Sequence, residues 1–294
     1  MLGLWFVIIA LLLNVFSSIV KKVVLHEKSS HDGLAYATLS FTLGGIYGLF
    51  IYFFFSGAHV SDINSLLNPK VFLLLSLDVF IWGLGSFFFY PAYKQVQVSE
   101  STIITSLQGF FALFLGLLVF KTETFSITRI IGGILILAAL ILLYKGKGKF
   151  KIEKYSLLLV LSSLIFALGS VLDNIIIANK YFSSVAFLQI FNFGLAAVVV
   201  LLLSPKSFRK IAPIYHDKKA LLVLFFNSLA TFLLFFFVYQ AYKLSVVASQ
   251  SNMILSSQVV LVVFLGALFF KERRNFRRKL VAAIITAIGI YLVS

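Results

Sequence analysis

Cysteine is absent from this chain of 294 residues, which excludes disulfides, zinc knuckles and thiol nucleophiles. Charge is scarce: Asp, Glu, Lys and Arg make up 12% of the residues, well short of the roughly one-quarter found in soluble domains. Histidine is limited to His26, His31, His59 and His216. All four fall between apolar runs and make no ligand spacing with acids, so no metal site is expected. A Walker loop is missing, and with it the expectation of direct ATP use. No Ser/His/acid or Cys/His set lies within the apolar runs. An intramembrane enzyme would have to operate on Asp78, Asp173 and Glu100 alone, so neither an enzyme nor a cofactor is expected.

Hydrophobic residues, by contrast, make up 61% of the chain. They are gathered into runs of about 20 residues, long enough to cross a hydrocarbon core roughly 30 Å thick as a helix. The net charge of +15 would suggest nucleic acid in a soluble protein. Here the Lys and Arg lie between the runs, where they meet lipid head groups, so the expected partner is the bilayer and not nucleic acid. The first run, Leu2 to Val20, has no basic start, is too long for the apolar region of a signal peptide, and holds polar residues. It reads as a retained spanning helix.

Ten helices are expected, near 2–20, 34–56, 71–92, 98–120, 127–144, 155–178, 183–203, 219–242, 247–270 and 277–293. The chain is also duplicated. Residues 101–121 (STIITSLQGFFALFLGLLVFK) and 251–271 (SNMILSSQVVLVVFLGALFFK) are identical at ten of 21 positions at an offset of 150. Matched Phe and Leu follow from composition, but matched Ser, Gln, Gly and a terminal Lys in register do not. The basic stretch Lys145–Lys154 divides the chain into residues 1–150 and 151–294, five helices each. An odd number of helices per repeat makes the second copy enter the membrane from the opposite side. The expected fold is therefore an all-α integral membrane protein of ten transmembrane helices in two inverted repeats. Connections after the odd-numbered runs hold 20 of the 25 Lys and Arg. The positive-inside rule puts those connections in the cytoplasm and both termini outside.

The polar residues inside the runs mark candidate sites. Asp78 sits about a third of the way through the third run, with Trp82 and Gly85 on the same face at i+4 and i+7. Its counterpart in the second copy is Asn227, with Thr231 one turn on. An intramembrane carboxylate costs about 2.5–3.5 kcal/mol on insertion scales unless it meets a cavity or partner. Asp78 thus reads either as a group binding a cationic moiety or a proton, or as a neutral acid bonded to a neighbouring helix. Ser101, Thr105 and Gln108 form a stripe in the fourth run, as Ser249, Asn252 and Ser256 do in the ninth. Each stripe reads as cavity lining or as interhelical hydrogen bonding. Asn14, Ser17 and Ser18 cluster in the first run, and Ser163, Ser170, Asp173 and Asn174 in the sixth, where Asp173 lies late enough to read as interfacial. Lys94 and Lys243, each in an Ala-Tyr-Lys motif, read as snorkelling to the interface or as pairing with Glu100 or another acid. Gly44 and Gly48, like Ala283 and Ala287, have the spacing of close helix packing. Trp82 reads as core filling or as a ring that stacks on a ligand.

Two five-helix repeats, each with Ala-Tyr-Lys before the fourth helix and then F-L-G-x-L-x-F-K, resemble the drug/metabolite transporter superfamily in its ten-helix EamA-type branch. Phe264 to Glu272 (FLGALFFKE) matches the family's helix end, and the first copy has its Glu at 123, one residue late. Family repeats often carry a proline near the start of this helix, where this sequence has Gly109 and Val259. The resemblance implies a secondary transporter or exporter of small organic metabolites in the cell membrane. It also implies a central cavity lined by helices 1, 3, 4, 6, 8 and 9, with helices 5 and 10 peripheral. On this reading Asp78 is the charged anchor or proton site with Trp82 beside it, and Asn14, Ser101, Gln108, Asn227, Asn252 and Ser256 are polar contacts. The substrates expected are amino acids or related amphipathic solutes, with protons as a candidate coupling ion. Two alternatives stay open: a flippase for lipid-linked substrates on the same fold, and a non-transporting scaffold or receptor.

Overall fold

Hydrocarbon offers no partner to a free backbone N–H or C=O, so a chain this apolar has to satisfy its backbone internally. The computed structural model describes residues 2–26, 29–56, 60–120, 127–144, 153–272 and 275–293, and these contain helices and no strands. The first half holds α1 (Leu2–Val24), α2 (Gly33–Phe54), α3 (Val60–Leu66), α4 (Pro69–Gln95), α5 (Val98–Thr105), α6 (Leu107–Leu118) and α7 (Ile127–Tyr144). The second holds α8 (Lys154–Ala178), α9 (Val185–Leu203), a 3-10 turn (Pro205–Lys210), α10 (Ala212–His216), α11 (Lys218–Lys243), α12 (Ala248–Ser256), α13 (Gln258–Phe269) and α14 (Phe276–Val293). Eight stretches are long and apolar enough to span a bilayer: α1, α2, α4, α5 with α6, α8, α9, α11 and α12 with α13. In α7 the qualifying apolar stretch is shorter, Ile130–Ala139. The repeat boundary expected at 150/151, and the motif residues Lys121 and Glu123, lie outside the described residues.

Local sequence explains several helix starts. Asp32, Asn68, Ser184 and Asp217 each accept a hydrogen bond from an amide in the first turn of α2, α4, α9 and α11, satisfying donors that have no partner inside the helix. Two expected helices are each interrupted once, at Ser106 between α5 and α6 and at Ser257 between α12 and α13. Both serines keep right-handed helical backbone and donate their hydroxyls back to a carbonyl, Ile103 O and Ile254 O, each at 2.6 Å. Such back-bonding competes with the helix ladder and bends it.

The packing joins each half to the other. The principal helix pairs are α1 with α11, α4 with α8, α2 with α9 and α7 with α14. Exchanging the two halves turns the first pair into the second and leaves the others unchanged. Partners run antiparallel. Along α1 and α11, Phe6 meets Phe237 and Ser17 meets Asn227. Along α2 and α9, the Phe41 ring packs at a tilt against Phe193 and Tyr52 against Phe187. Likewise α5 packs on α13 and α6 on α12. Glycine allows the α2–α9 approach. A Cβ on Gly44 would stand 2.6 Å from the Phe193 ring, and one on Gly45 3.1 Å from the Gly194 Cα. Outward faces carry exposed Trp5, Phe53, Phe54, Phe72, Phe114 and Phe264, an apolar surface suited to lipid.

Polar ties gather where α1 and α4 end. Glu272 accepts from the Val98 amide at 2.8 Å, the Ser99 amide at 3.1 Å and the Ser99 hydroxyl, and lies 3.6 Å from Lys279 Nζ. A carboxylate from the second half thereby caps α5 of the first, where a helix N-terminus favours negative charge. Lys279 also donates to Gln97 Oε1 and to Ser99 Oγ. Lys94 donates to the Ser29 and His31 carbonyls of the first connection at 2.7 and 2.8 Å. Lys243 donates to the Ser183 carbonyl. In the connections, Asp32 pairs with Lys210 at 2.8 Å and His31 with Asp217 at 3.0 Å. Partial burial pushes the Asp32 carboxyl up, but bonds from Lys210, Ala35 and Leu34 and the Lys210 charge hold it below the usual carboxylate value.

Two outcomes follow. Glu272→Ala leaves buried partners uncompensated and is expected to destabilise by on the order of 3 kcal/mol, read as a lower thermal midpoint in detergent micelles. Adding Lys279→Met should restore part of that loss. Asp32→Asn keeps the helix cap and removes only the ion pair, so at pH 7 it should cost no more than about 1 kcal/mol at a site this open. Because the folded-state value is depressed, this contribution is present above about pH 4 and fades as pH falls further. Midpoints of parent and variant should therefore converge as pH falls below the usual carboxylate range.

Candidate functional site

A cavity of about 170 Å³ lies between the two halves. Its lining comes from α1, α4, α5, α6, α8, α11, α12 and α13, with Phe41 of α2 and Asn192 and Phe193 of α9; no described residue of α7 or α14 takes part. Of the residues singled out by sequence, Asn14, Trp82, Ser101, Gln108, Asn252 and Ser256 line the cavity together. Asp78 and Asn227 do not. Both are fully buried behind it.

The polar stripes line the cavity and also bond between helices. Gln108 Nε2 donates to Ser170 Oγ and to Asn252 Oδ1, each at 3.1 Å, and so ties α6 to α8 and α12. Asn227 Oδ1 accepts from Ser17 Oγ at 2.9 Å, and Ser17 also lies 3.1 Å from Thr231 Oγ1. This pair links α1 to α11. Ser101 and Ser256 line the cavity while bonded to carbonyls of their own helices, Val98 O at 2.9 Å and Asn252 O at 2.7 Å.

Asp173 is the main correction to the reading from sequence. Its late place in the sixth run suggested an interfacial carboxylate. In the structure it is 1% exposed and lines the cavity, enclosed by side chains of α4, α9 and α11. Trp82 Nε1 donates to Asp173 Oδ2 at 3.1 Å, and Asn192 Nδ2 donates to Asp173 Oδ1 at 2.7 Å. The same Asn192 nitrogen is 2.9 Å from the Tyr239 hydroxyl. Asp78 faces Asp173, with Asn192 beside it, and neither Asp78 oxygen makes a well-formed hydrogen bond. The result is a carboxyl pair, one member facing the cavity and the other sealed off from it. Burying two charges this close is costly, and one proton between the carboxyls removes half of that charge.

The rest of the wall is aromatic. Trp82 packs against Phe166 at 5.2 Å and Phe235 at 5.0 Å between ring centres. Phe166 continues to Phe89 at 5.8 Å, and Phe89 to Tyr93 at 5.1 Å. Beyond this strip lies Lys21, a cavity residue that the sequence reading had assigned to the first connection because the apolar run stops at Val20. The helix continues one turn further, to Val24, and carries Lys21 inward. Asn192 was likewise missed, although an Asn three residues after Gln189 inside an apolar run is the same kind of signal as Asp78. With small polar groups, aromatic walls and a buried acid, the cavity suits a small amphipathic organic molecule.

Comparison with known proteins agrees with this architecture. A model of the EamA-like transporter family matches residues 1–145 and 154–294, one match on each side of the basic linker. A comparison with curated proteins finds no match. A solved crystal structure of a protein is similar over 99% of this chain and 96% of its own, with a TM-score of 0.69 at 14% identity, which is a likeness of fold. The chain belongs to the EamA-like transporter family of multi-pass membrane proteins.

Proposed function

We infer that this protein is a secondary transporter that exports small organic metabolites, amino acids or related amphipathic solutes, by alternating access about the central cavity. The observation that carries this reading is the polar and aromatic cavity between the antiparallel helix pairs, α1–α11 and α4–α8, that join the two halves. A site on the boundary between inverted repeats can be opened to either side by rocking one half against the other. On this reading ten helices cross the cytoplasmic membrane, α7 and α14 included, with the basic odd-numbered connections inside and both termini outside.

Within the cavity Asp173 serves as the acid that meets the solute, positioned by Trp82 and Asn192. Asp78, without a well-formed hydrogen bond of its own and facing Asp173, serves as its proton partner. Proton movement on this pair would couple transport to the proton gradient. The titratable groups facing the pair are each other and Tyr239 from α11; α9 contributes the neutral Asn192. Asn14, Ser101, Gln108, Asn252 and Ser256 are the polar contacts of the solute, and Asn227 holds α1 against α11 through Ser17.

The test compares extracellular metabolites from cells expressing the parent, Asp78→Asn, Asp173→Asn or an empty vector. One compound class is expected to accumulate outside with the parent and to fall by about tenfold or more in both variants, the effect of losing a charge-assisted contact. In proteoliposomes the residual flux of the variants should lose its dependence on a proton gradient. If the parent matches the empty vector, export is wrong. If both variants match the parent in rate and proton dependence, the acid pair has no part in transport.

A further inference from the structure

Two adjacent lysines at the end of α1 have different fates. Lys22 is buried and donates to the carbonyls of Tyr93, Lys94 and Val96 at 2.7, 3.2 and 2.5 Å. It thereby caps the end of α4, where carbonyls lack helical partners. Lys21 lines the cavity, and its Nζ makes no hydrogen bond or ion pair with any described residue. It sits instead 5.3, 5.4 and 5.5 Å from the ring centres of Phe89, Tyr90 and Tyr93. Three rings at nearly equal distances hold the ammonium in place by their negative faces. They leave its N–H donors without strong acceptors. The Tyr93 hydroxyl is already used, donating to Ser18 O at 2.5 Å. Glu272, whose carboxylate lies at the start of α5, is engaged by the α5 amides and Lys279, and Asp32 by Lys210.

We propose that Lys21 is the anion-receiving subsite of the transport cavity, and that it selects amphipathic carboxylates whose apolar body lies along the Phe89–Phe166–Trp82 strip. The proposal rests on the transporter reading above and narrows its substrate class. A carboxylate would meet the free donors of Lys21 with charge-assisted hydrogen bonds. The strip leads from the lysine to Trp82, which is bonded to Asp173. Trp82 and Phe89 are seven residues apart on α4, or about 10 Å of helix rise. The cavity therefore has a cationic pole and an acidic pole about two turns apart. An α-amino acid carries both charges on one carbon and cannot reach both poles at once. A carboxylate with an aromatic or extended apolar body can hold Lys21 and present a neutral or donor group toward Asp173.

The experiment uses the full-length protein in lipid nanodiscs on a Trp5→Phe background. With two tryptophans in the chain, Trp82 then becomes the sole tryptophan reporter. N-acetylphenylalanine is titrated against its uncharged counterpart, N-acetylphenylalaninamide, following tryptophan emission. The acid is expected to bind about tenfold or more tightly than the amide. Lys21→Gln should bring the acid down to the amide's affinity and leave the amide unchanged, and Lys21→Arg should keep the preference. No saturable binding of the acid, equal affinity for acid and amide in the parent, or an equal loss of both in Lys21→Gln would each overturn the proposal. Flux of the acid in proteoliposomes separates the two readings. Selective binding without flux defeats transport and leaves the anion subsite standing, whereas flux of other solutes without acid preference does the reverse.

Discussion

A polar side chain at membrane depth must find its partner within the protein, because lipid supplies none. In this chain many hydroxyls return to carbonyls of their own helix, and several of the remaining partners lie in the opposite half. Ser17 reaches Asn227, Gln108 reaches Ser170 and Asn252, Trp82 reaches Asp173, and Glu272 reaches the start of α5. Tertiary polar contacts in a bilayer are individually modest, averaging about 0.6 kcal/mol, but two of the helix pairs they join here, α4–α8 and α6–α12, are also ones that Gly85, Gly169 and Gly109 let approach closely. The halves are consequently interleaved. The interface between them carries the polar groups, and the cavity is part of that interface.

The duplication and the helices were legible because both depend on local pattern. Apolar runs of the required length declare themselves, and identical Ser, Gln and Gly at one offset declare a repeat. Depth and direction are not local. Asp173 lies near the end of its run, and counting along the run gives no sign that Trp82, Asn192 and Tyr239 from three other helices enclose it. Asp78 was recognisable as an intramembrane acid, but its separation from the cavity depends on how α4 is rotated, and periodicity gives that only relative to an unknown neighbour. Lys21 was hidden by a different cause. A hydropathy count ends at the first lysine, whereas the helix ends where its backbone bonds do, at Val24.

Lys21 and Lys22 also illustrate why charge counts do not describe the cavity. Both belong to the basic excess of the first connection, and both contribute equally to orientation by the positive-inside rule. One is spent on the carbonyls that end α4, and the other is held by three rings at the cavity wall. The distinction comes from helical geometry, since neighbouring residues point about 100° apart.

The interrupted helices carry the same point to the backbone. Where the family resemblance leads to the expectation of a proline, this chain has Gly109 and Val259, and no proline bends either helix. The interruption is nevertheless present in both halves, made by Ser106 and Ser257 through hydroxyl bonds to the preceding turn. Proline at 109 would remove the amide that donates to Ser106 O at 3.3 Å, since proline has no N–H. It would also press on α12, because even a Cβ at Gly109 would lie 2.9 Å from Met253 Cγ and 3.3 Å from the Met253 backbone nitrogen. The glycine keeps α6 against α12, and with it the Gln108–Asn252 bond across the cavity, while the serine supplies the bend. The serine bend keeps the amide that a proline would lack and gives a carbonyl of the preceding turn a hydroxyl donor at the point of interruption.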